Sequence, residues 1–241
     1  MHIIIEGLDG TGKTTILNAL KDHLEEKTIF DVVEFEKIHK RLPQENDVNR
    51  GVRLQEADVL LLAEPTHAGI GQVIRSELIA VSEIAYSQRT LAHAYAIDRE
   101  ILLKRLIIPS RKRNQIIIQS RGWISSLVYQ KALDKSMKLS ELRGLPGNIL
   151  AEQYLPDAII YTRVKKPELI LERMKGRKYD KHENLSVQEK VFNAYESTWF
   201  RNYRESLDVT WMEVDVSGDV ESGIKNFLKA YKKILSKNRT S

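Results

Sequence analysis

Near the N-terminus the chain reads Gly7-Leu8-Asp9-Gly10-Thr11-Gly12-Lys13-Thr14-Thr15. The spacing Gly7-x-x-x-x-Gly12-Lys13-Thr14 suits one kind of chemistry, the grip of a polyphosphate. Glycines let successive backbone N–H groups turn inward and approach phosphate oxygens. A helix that starts at the end of such a loop adds its own N-terminal N–H groups and its positive dipole end. Lys13 then reaches the β- and γ-phosphates of a nucleoside triphosphate, and the Thr14 hydroxyl ligates Mg²⁺. Asp9 is out of place beside phosphates unless its carboxylate faces away. It points toward a second ligand, or it is a solvent-facing turn residue.

The elements around the loop fit this mechanism. An apolar run, His2–Glu6, precedes it, and a helical pattern, Thr15–Lys27, follows with Ile16, Leu17, Leu20 and Leu24 on one face. Four further apolar runs read as strands: Asp58–Ala63, Gln115–Gln119, Ala158–Val164 and Val209–Val214. Short apolar strands alternating with helices indicate a parallel sheet covered on both faces. Helices are expected at Ser87–Leu106, at Lys166–Lys175 with Pro167 near its start, and at Val220–Leu235 after the turn Ser217-Gly218-Asp219. The charged stretch 30–56 has little periodicity and reads as an insertion, helical at Val33–Arg41. A polar segment, 175–185, reads as a mobile loop.

The chain has 241 residues and 42% hydrophobic content, enough for one large α/β domain. No apolar run approaches the roughly 20 residues that cross a bilayer. The start shows no signal-peptide pattern, so a cytoplasmic location is expected. With no cysteine, disulfides and thiolate metal sites are excluded. The net charge of +5 suits an anionic ligand, or is simply a solvated surface. It does not make a nucleic-acid binder, since no zinc-finger spacing or RRM-type aromatic motif accompanies it.

Ile5-Glu6-Gly7-Leu8-Asp9-Gly10-Thr11-Gly12-Lys13-Thr14-Thr15 resembles the P-loop of thymidylate kinases. The likeness continues in order along the chain: Glu64-Pro65-Thr66 with Ile70-Gly71 and Ile74-Arg75; Tyr95-Ala96-Ile97-Asp98-Arg99; Arg121 with Ser125-Ser126-Leu127-Val128-Tyr129-Gln130; and Glu172-Arg173, Lys175, Arg177, Asp180-Lys181 and Glu183. Val214-Asp215 and Ser217 are similar to the family's last strand and adenine-side loop. The resemblance implies a P-loop NTP hydrolase-type three-layer α/β sandwich. Its five-stranded parallel sheet would carry helices on both faces and a mobile lid, in a single kinase domain. It implies transfer of the γ-phosphate of ATP to dTMP with Mg²⁺, in a homodimer.

By that resemblance Arg121 holds the acceptor phosphate, Arg99 contacts the pyrimidine and Tyr95 stacks on it. Ser126 approaches the base edge, Tyr129 crowds the sugar C2′, and Asp9 meets the 3′-hydroxyl. Glu64 and Arg75 join the acceptor side or brace helix ends. Arg99 has an alternative as a surface ion pair with Asp98 or Glu100, and Tyr95 as a core residue. Arg173, Arg177 and Lys181 come from the lid, or form a solvated face. Some members carry an Arg inside the P-loop; here that position is Gly10, so the catalytic cation is expected from the lid, Arg177 first.

The pattern also breaks. Ser120 stands where the family usually has an Asp near Mg²⁺, Ala63 where many members have Arg, and 30–56 is extra. These departures keep three other readings open. One is a kinase for another (deoxy)nucleoside monophosphate or a deoxynucleoside. The second is a non-catalytic nucleotide-binding sensor. The third is a P-loop protein that processes nucleic acid.

Overall fold

The computed structural model describes residues 1–24, 26–174 and 184–238. Strand β1 (His2–Gly7) leads through the glycine-rich loop into α1 (Lys13–His23). Next come β2 (Ile29–Asp31), α2 (Val32–His39), and a hairpin of β3 (Val48–Asn49) and β4 (Val52–Arg53). Then follow β5 (Val59–Ala63), α3 (Gly69–Val73), α4 (Gln88–Leu102), α5 (Ile108–Lys112) and β6 (Ile116–Ser120). Helices α6 (Trp123–Leu133), α7 (Leu139–Arg143) and α8 (Pro146–Gln153) lead to β7 (Ala158–Arg163). The chain continues with α9 (Glu168–Met174), α10 (Leu185–Tyr195), α11 (Thr198–Glu205), β8 (Thr210–Asp215) and α12 (Val220–Asn238).

The main sheet runs β2-β5-β6-β1-β7-β8, parallel throughout. Its central strands are near-continuous apolar runs because helices cover both faces, and Ile3–Ile5, Val59–Leu62 and Ile159–Ile160 are all buried. Register brings the strand ends together: Ile5 and Ala63 both lie opposite Ser120, and Gly7 lies opposite Thr162. The loops after β1, β5 and β6 therefore open at one edge, where open α/β sheets place their ligands.

The sheet has six strands, not the five expected. The sixth, β2, pairs residue for residue with β5 from Ile29↔Val59 to Asp31↔Leu61. Three residues are too few to show a strand pattern, and only burial of Phe30 against the core makes them one. Some helix boundaries also differ. Helix α1 starts two residues early, at Lys13, because Gly12 sits at φ 84° and the chain enters the helix directly. The single helix expected at 87–106 is α4, capped by the Ser87 side chain, then a π-turn at Leu103–Ile107 leading into α5. Helix α6 shows no apolar stripe because it is buried on all sides from Trp123 to Gln130.

Within 30–56, Asp31 caps α2 by accepting from the Glu34 N–H at 3.0 Å. Arg50 and Gly51 take positive φ in the two-residue turn of the hairpin. Arg50 then pairs bidentately with Glu34, tying hairpin to helix. Glu36 faces inward, and its Oε2 accepts the His67 N–H at 2.7 Å in the loop after β5. Its Oε1 is buried with no partner among the described residues.

Burial pushes the Glu36 carboxyl up from 4.5 to about 7. A carboxyl raised in the folded state stabilises fully below its unfolded value and loses that contribution as pH rises through the folded one. Glu36→Gln stays neutral throughout. The melting temperature of the variant minus that of the wild type is therefore expected to become more positive between about pH 5 and about pH 8. Thermal melts at both pH values check this, and a constant difference would contradict it.

Candidate active site

Gly7 ends β1 at φ 144°, and a Cβ there would lie 2.3 Å from Thr162 Oγ1 and 2.7 Å from its carbonyl oxygen. Only glycine lets the loop leave the sheet against β7. Thr11 Oγ1 donates to the Leu8 carbonyl at 3.0 Å and lies 2.8 Å from Thr162 Oγ1. Leu8 and Thr11 are buried and shape the loop from behind. Lys13 curls over it, its Nζ donating to the carbonyls of Gly7 at 3.2 Å and Leu8 at 2.5 Å. Thr14 and Thr15 open α1 and are exposed.

One cavity of about 580 Å³ adjoins this loop. Asp9, Gly10, Gly12, Lys13, Thr14 and Thr15 line it from the loop side. Glu64, Arg75, Tyr95, Arg99, Arg121, Ser126 and Tyr129 line the same cavity from the loop after β5, the π-turn Ile74–Leu78 after α3, helix α4, the turn after β6 and helix α6. Residues spread over more than a hundred positions thus meet at one place. Two lie outside the described residues, Arg177 and Lys181, as does most of the segment 175–185. Arg173 donates instead to the Gly218 carbonyl, in the loop after β8.

Asp9 does not face the phosphate side alone. Its Oδ1 accepts from Arg121 Nη2, and its Oδ2 accepts from Tyr129 Oη at 2.7 Å and Gln188 Nε2 at 3.3 Å. Arg121 sits at φ 64°, with Nη1 donating to the Gly7 carbonyl at 3.0 Å and Ser125 Oγ at 2.9 Å. The loop after β1 and the turn after β6 are thereby cross-linked through a charge pair. Burial pushes the Tyr129 phenol well above its ordinary range, so it remains a hydroxyl donor.

Glu6 holds the same turn from beneath. Its carboxylate accepts from the Gly122 N–H at 2.9 Å, the Ser125 N–H at 3.3 Å and Ser125 Oγ at 2.5 Å. Burial pushes its pKa up, against those hydrogen bonds. Glu6 therefore positions the turn that carries Arg121.

Arg99 pairs with neither Asp98 nor Glu100. Asp98 accepts from the Thr66 N–H and hydroxyl at 2.8 and 2.7 Å, and Glu100 takes Lys104. The buried Arg99 guanidinium instead meets Glu64, at 2.8 Å from Nε and 2.7 Å from Nη2, and Asn148 at 2.5 Å. Burial pushes Glu64 up to about 7, and the Arg99 charge opposes that rise. Arg75 donates to the carbonyls of Pro65 and Thr66, and no ion pair is found for it among the described residues. It lines the cavity with Asp98 and Glu36 as nearby opposite charges. Burial pushes its pKa down.

Sequence reasoning missed several residues here. Gln130 lines the cavity with both amide atoms buried and without a partner among the described residues, as is Ser126 Oγ one turn earlier. The available signal was the place of Gln130 at the end of the Ser125–Gln130 likeness, four residues after Ser126 on the same helix. Val33 and Lys37 of α2 also line the cavity, so the stretch 30–56 forms part of its wall. Such a chamber, with a phosphate loop at one side and three arginines plus orphaned amide and hydroxyl groups at the other, suits a phosphoryl donor facing a polar acceptor. Among the described residues no group of three His, Cys, Asp or Glu could hold a metal, and no helix is long and apolar enough to cross a membrane.

Comparison with known proteins agrees with this geometry. The thymidylate kinase family model matches residues 48–222. The chain is 25% identical over 237 residues to a thymidylate kinase of Mycoplasma mobile, covering 98% of this chain and 100% of that one. It is 26% identical over 200 residues to a thymidylate kinase of Shouchella clausii, covering 81% and 79%. A probable thymidylate kinase of Methanobrevibacter smithii is 25% identical over 229 residues, covering 95% and 96%. With a match over most of its length and a cavity of this composition, the chain belongs to the thymidylate kinase family.

Proposed function

We propose that this chain transfers the γ-phosphate of ATP to dTMP, giving dTDP and ADP, as a single cytoplasmic kinase domain. The observation that carries the reading is the shared cavity, which joins the Lys13 loop to Arg121, Arg99, Ser126 and Gln130. An oxygen of the dTMP phosphate attacks the γ-phosphorus, and the bond from that phosphorus to the β,γ-bridging oxygen breaks. The protein supplies positioning and positive charge rather than an acid or base.

Lys13 leaves its carbonyl partners for the β- and γ-phosphates, whose oxygens are better acceptors for a cation. Arg121, already oriented by Asp9 and Ser125, takes the acceptor phosphate, with Arg75 as a second cation beside it. Arg99 and the orphaned groups of Ser126 and Gln130 meet the base edge, and Tyr95 stacks on the base. Tyr129 stands against the sugar. Mg²⁺ would fit the hard oxygen donors here: Thr14 and Ser120 both line the cavity and would hold it together with phosphates and water. It would neutralise charge on the transferring phosphoryl group.

A homodimer is proposed as well. Helix α4 leaves Ile97 and Ile101 exposed one turn apart, and α8, packed against it, leaves Ile149 exposed. Sedimentation velocity distinguishes monomer from dimer.

ADP release from ATP and Mg²⁺ should be stimulated strongly by dTMP and by less than about a tenth as much by UMP, because Tyr129 crowds a 2′-hydroxyl. Offering dUMP, dGMP, dCMP and thymidine in parallel tests the rest of the pocket. A different winning acceptor would overturn the base assignment. ATP binding without any stimulated release would overturn the enzyme reading.

Gln130→Met removes two unpartnered buried polar atoms at nearly constant volume. Its melting temperature is expected to equal or exceed that of the wild type, while KM for dTMP rises about tenfold. A large loss of melting temperature with KM unchanged would assign Gln130 to structure alone.

A further inference from the structure

Behind the cavity a chain of buried polar side chains runs across the sheet, from His2 on β1 through Gln119 on β6 to Glu64, Arg99 and Asn148. Every member is at most 5% exposed. Gln119 is its branch point. One N–H of its amide donates to Glu64 Oε1 at 2.9 Å and the other to the Arg121 carbonyl at 2.8 Å.

With both N–H groups engaged, the amide oxygen can only accept. It faces His2 Nε2 at 3.0 Å, which makes His2 the neutral tautomer with its proton on Nε2. His2 Nδ1 is accordingly buried with no partner among the described residues, and burial pushes the imidazole down to about 4. The reversed amide would set its oxygen against a carboxylate and a carbonyl. Three partners therefore fix its orientation.

Those partners lead to different parts of the cavity. Glu64 Oε2 orients Arg99, whose Nη1 donates to Asn148, itself anchored to the Leu142 carbonyl at 2.7 Å. The Arg121 carbonyl belongs to a residue at φ 64°, whose side chain reaches Asp9. We propose that Gln119 is a positioning residue of the acceptor pocket, locking the Arg99 guanidinium and the Arg121 turn into one fixed relation. No atom of it needs to touch the acceptor. The proposal rests on the kinase reading above, in which these two arginines grip opposite ends of one monophosphate.

The test is steady-state kinetics and calorimetric dTMP binding on Gln119→Met, which keeps the length and removes both donors. KM and Kd for dTMP should rise about tenfold while KM for ATP stays within about twofold, because only the acceptor side loses its alignment. A structural role alone would lower the melting temperature without separating the two substrates. Folded Gln119→Met with an unchanged KM for dTMP, or with both KM values raised equally, overturns the proposal. If that variant does not fold, Gln119→Glu takes its place under the same criteria, since it keeps the shape and replaces the donor facing Glu64 by an acceptor. Wild-type protein that dTMP does not stimulate would instead sink the kinase reading itself.

Discussion

The ion pair between Asp9 and Arg121 ties the site together. One partner sits in the loop after β1 and the other in the turn after β6, and neither is comfortable alone. Asp9 without Arg121 would set a bare carboxylate beside a polyphosphate. Arg121 without Asp9 would be a half-buried cation that has lost its nearest counter-charge, with Glu6 left beneath it. Paired, they leave a guanidinium still able to present donors to an anion. The parallel sheet makes the pairing possible, because adjacent strands of equal register end at the same edge.

Around that pair the structure separates two kinds of charge. Glu6 and Asp98 are buried and committed to groups behind the cavity, and Glu64, which lines it, has its carboxylate committed to Arg99 and Gln119, so all three orient other residues. Lys13, Arg75 and Arg121 face the cavity itself. This sorting suits phosphoryl transfer, in which negative charge on the moving group must be met by fixed positive charge. It also bears on Ser120. The nearby carboxylates are already engaged, so a metal here would depend on hydroxyls, phosphates and water.

The stretch 30–56 is built into the fold rather than appended to it. Strand β2 covers the open edge of β5, which would otherwise offer unpaired backbone groups. Helix α2 follows at once, and Glu36 clasps the loop after β5 while Val33 and Lys37 form cavity wall. A charged segment without periodicity thus becomes ordered because Phe30, Val32, Phe35 and Leu54 are buried in the core, while Ile38 and Val48 stay exposed.

Much of this was legible in the residues themselves. Strands buried on both faces announce themselves as apolar runs, and the glycine-rich loop carries its mechanism in local spacing, because backbone geometry is a short-range property. The family resemblance named most of the cavity's lining, since its motifs run collinearly from Ile5 to Gln130 and on to Ser217. Other features depended on partners far along the chain. That Arg99 meets Glu64, that Glu6 works from beneath, and that Gln119 joins His2 to Glu64 follow from contacts across 35 to 119 positions. Local pattern cannot encode such contacts, because a side chain's role is set by what burial places against it. Sequence by itself therefore determined the sheet's central strands and the phosphate loop; the tertiary structure alone decided the sixth strand and which charges face the cavity.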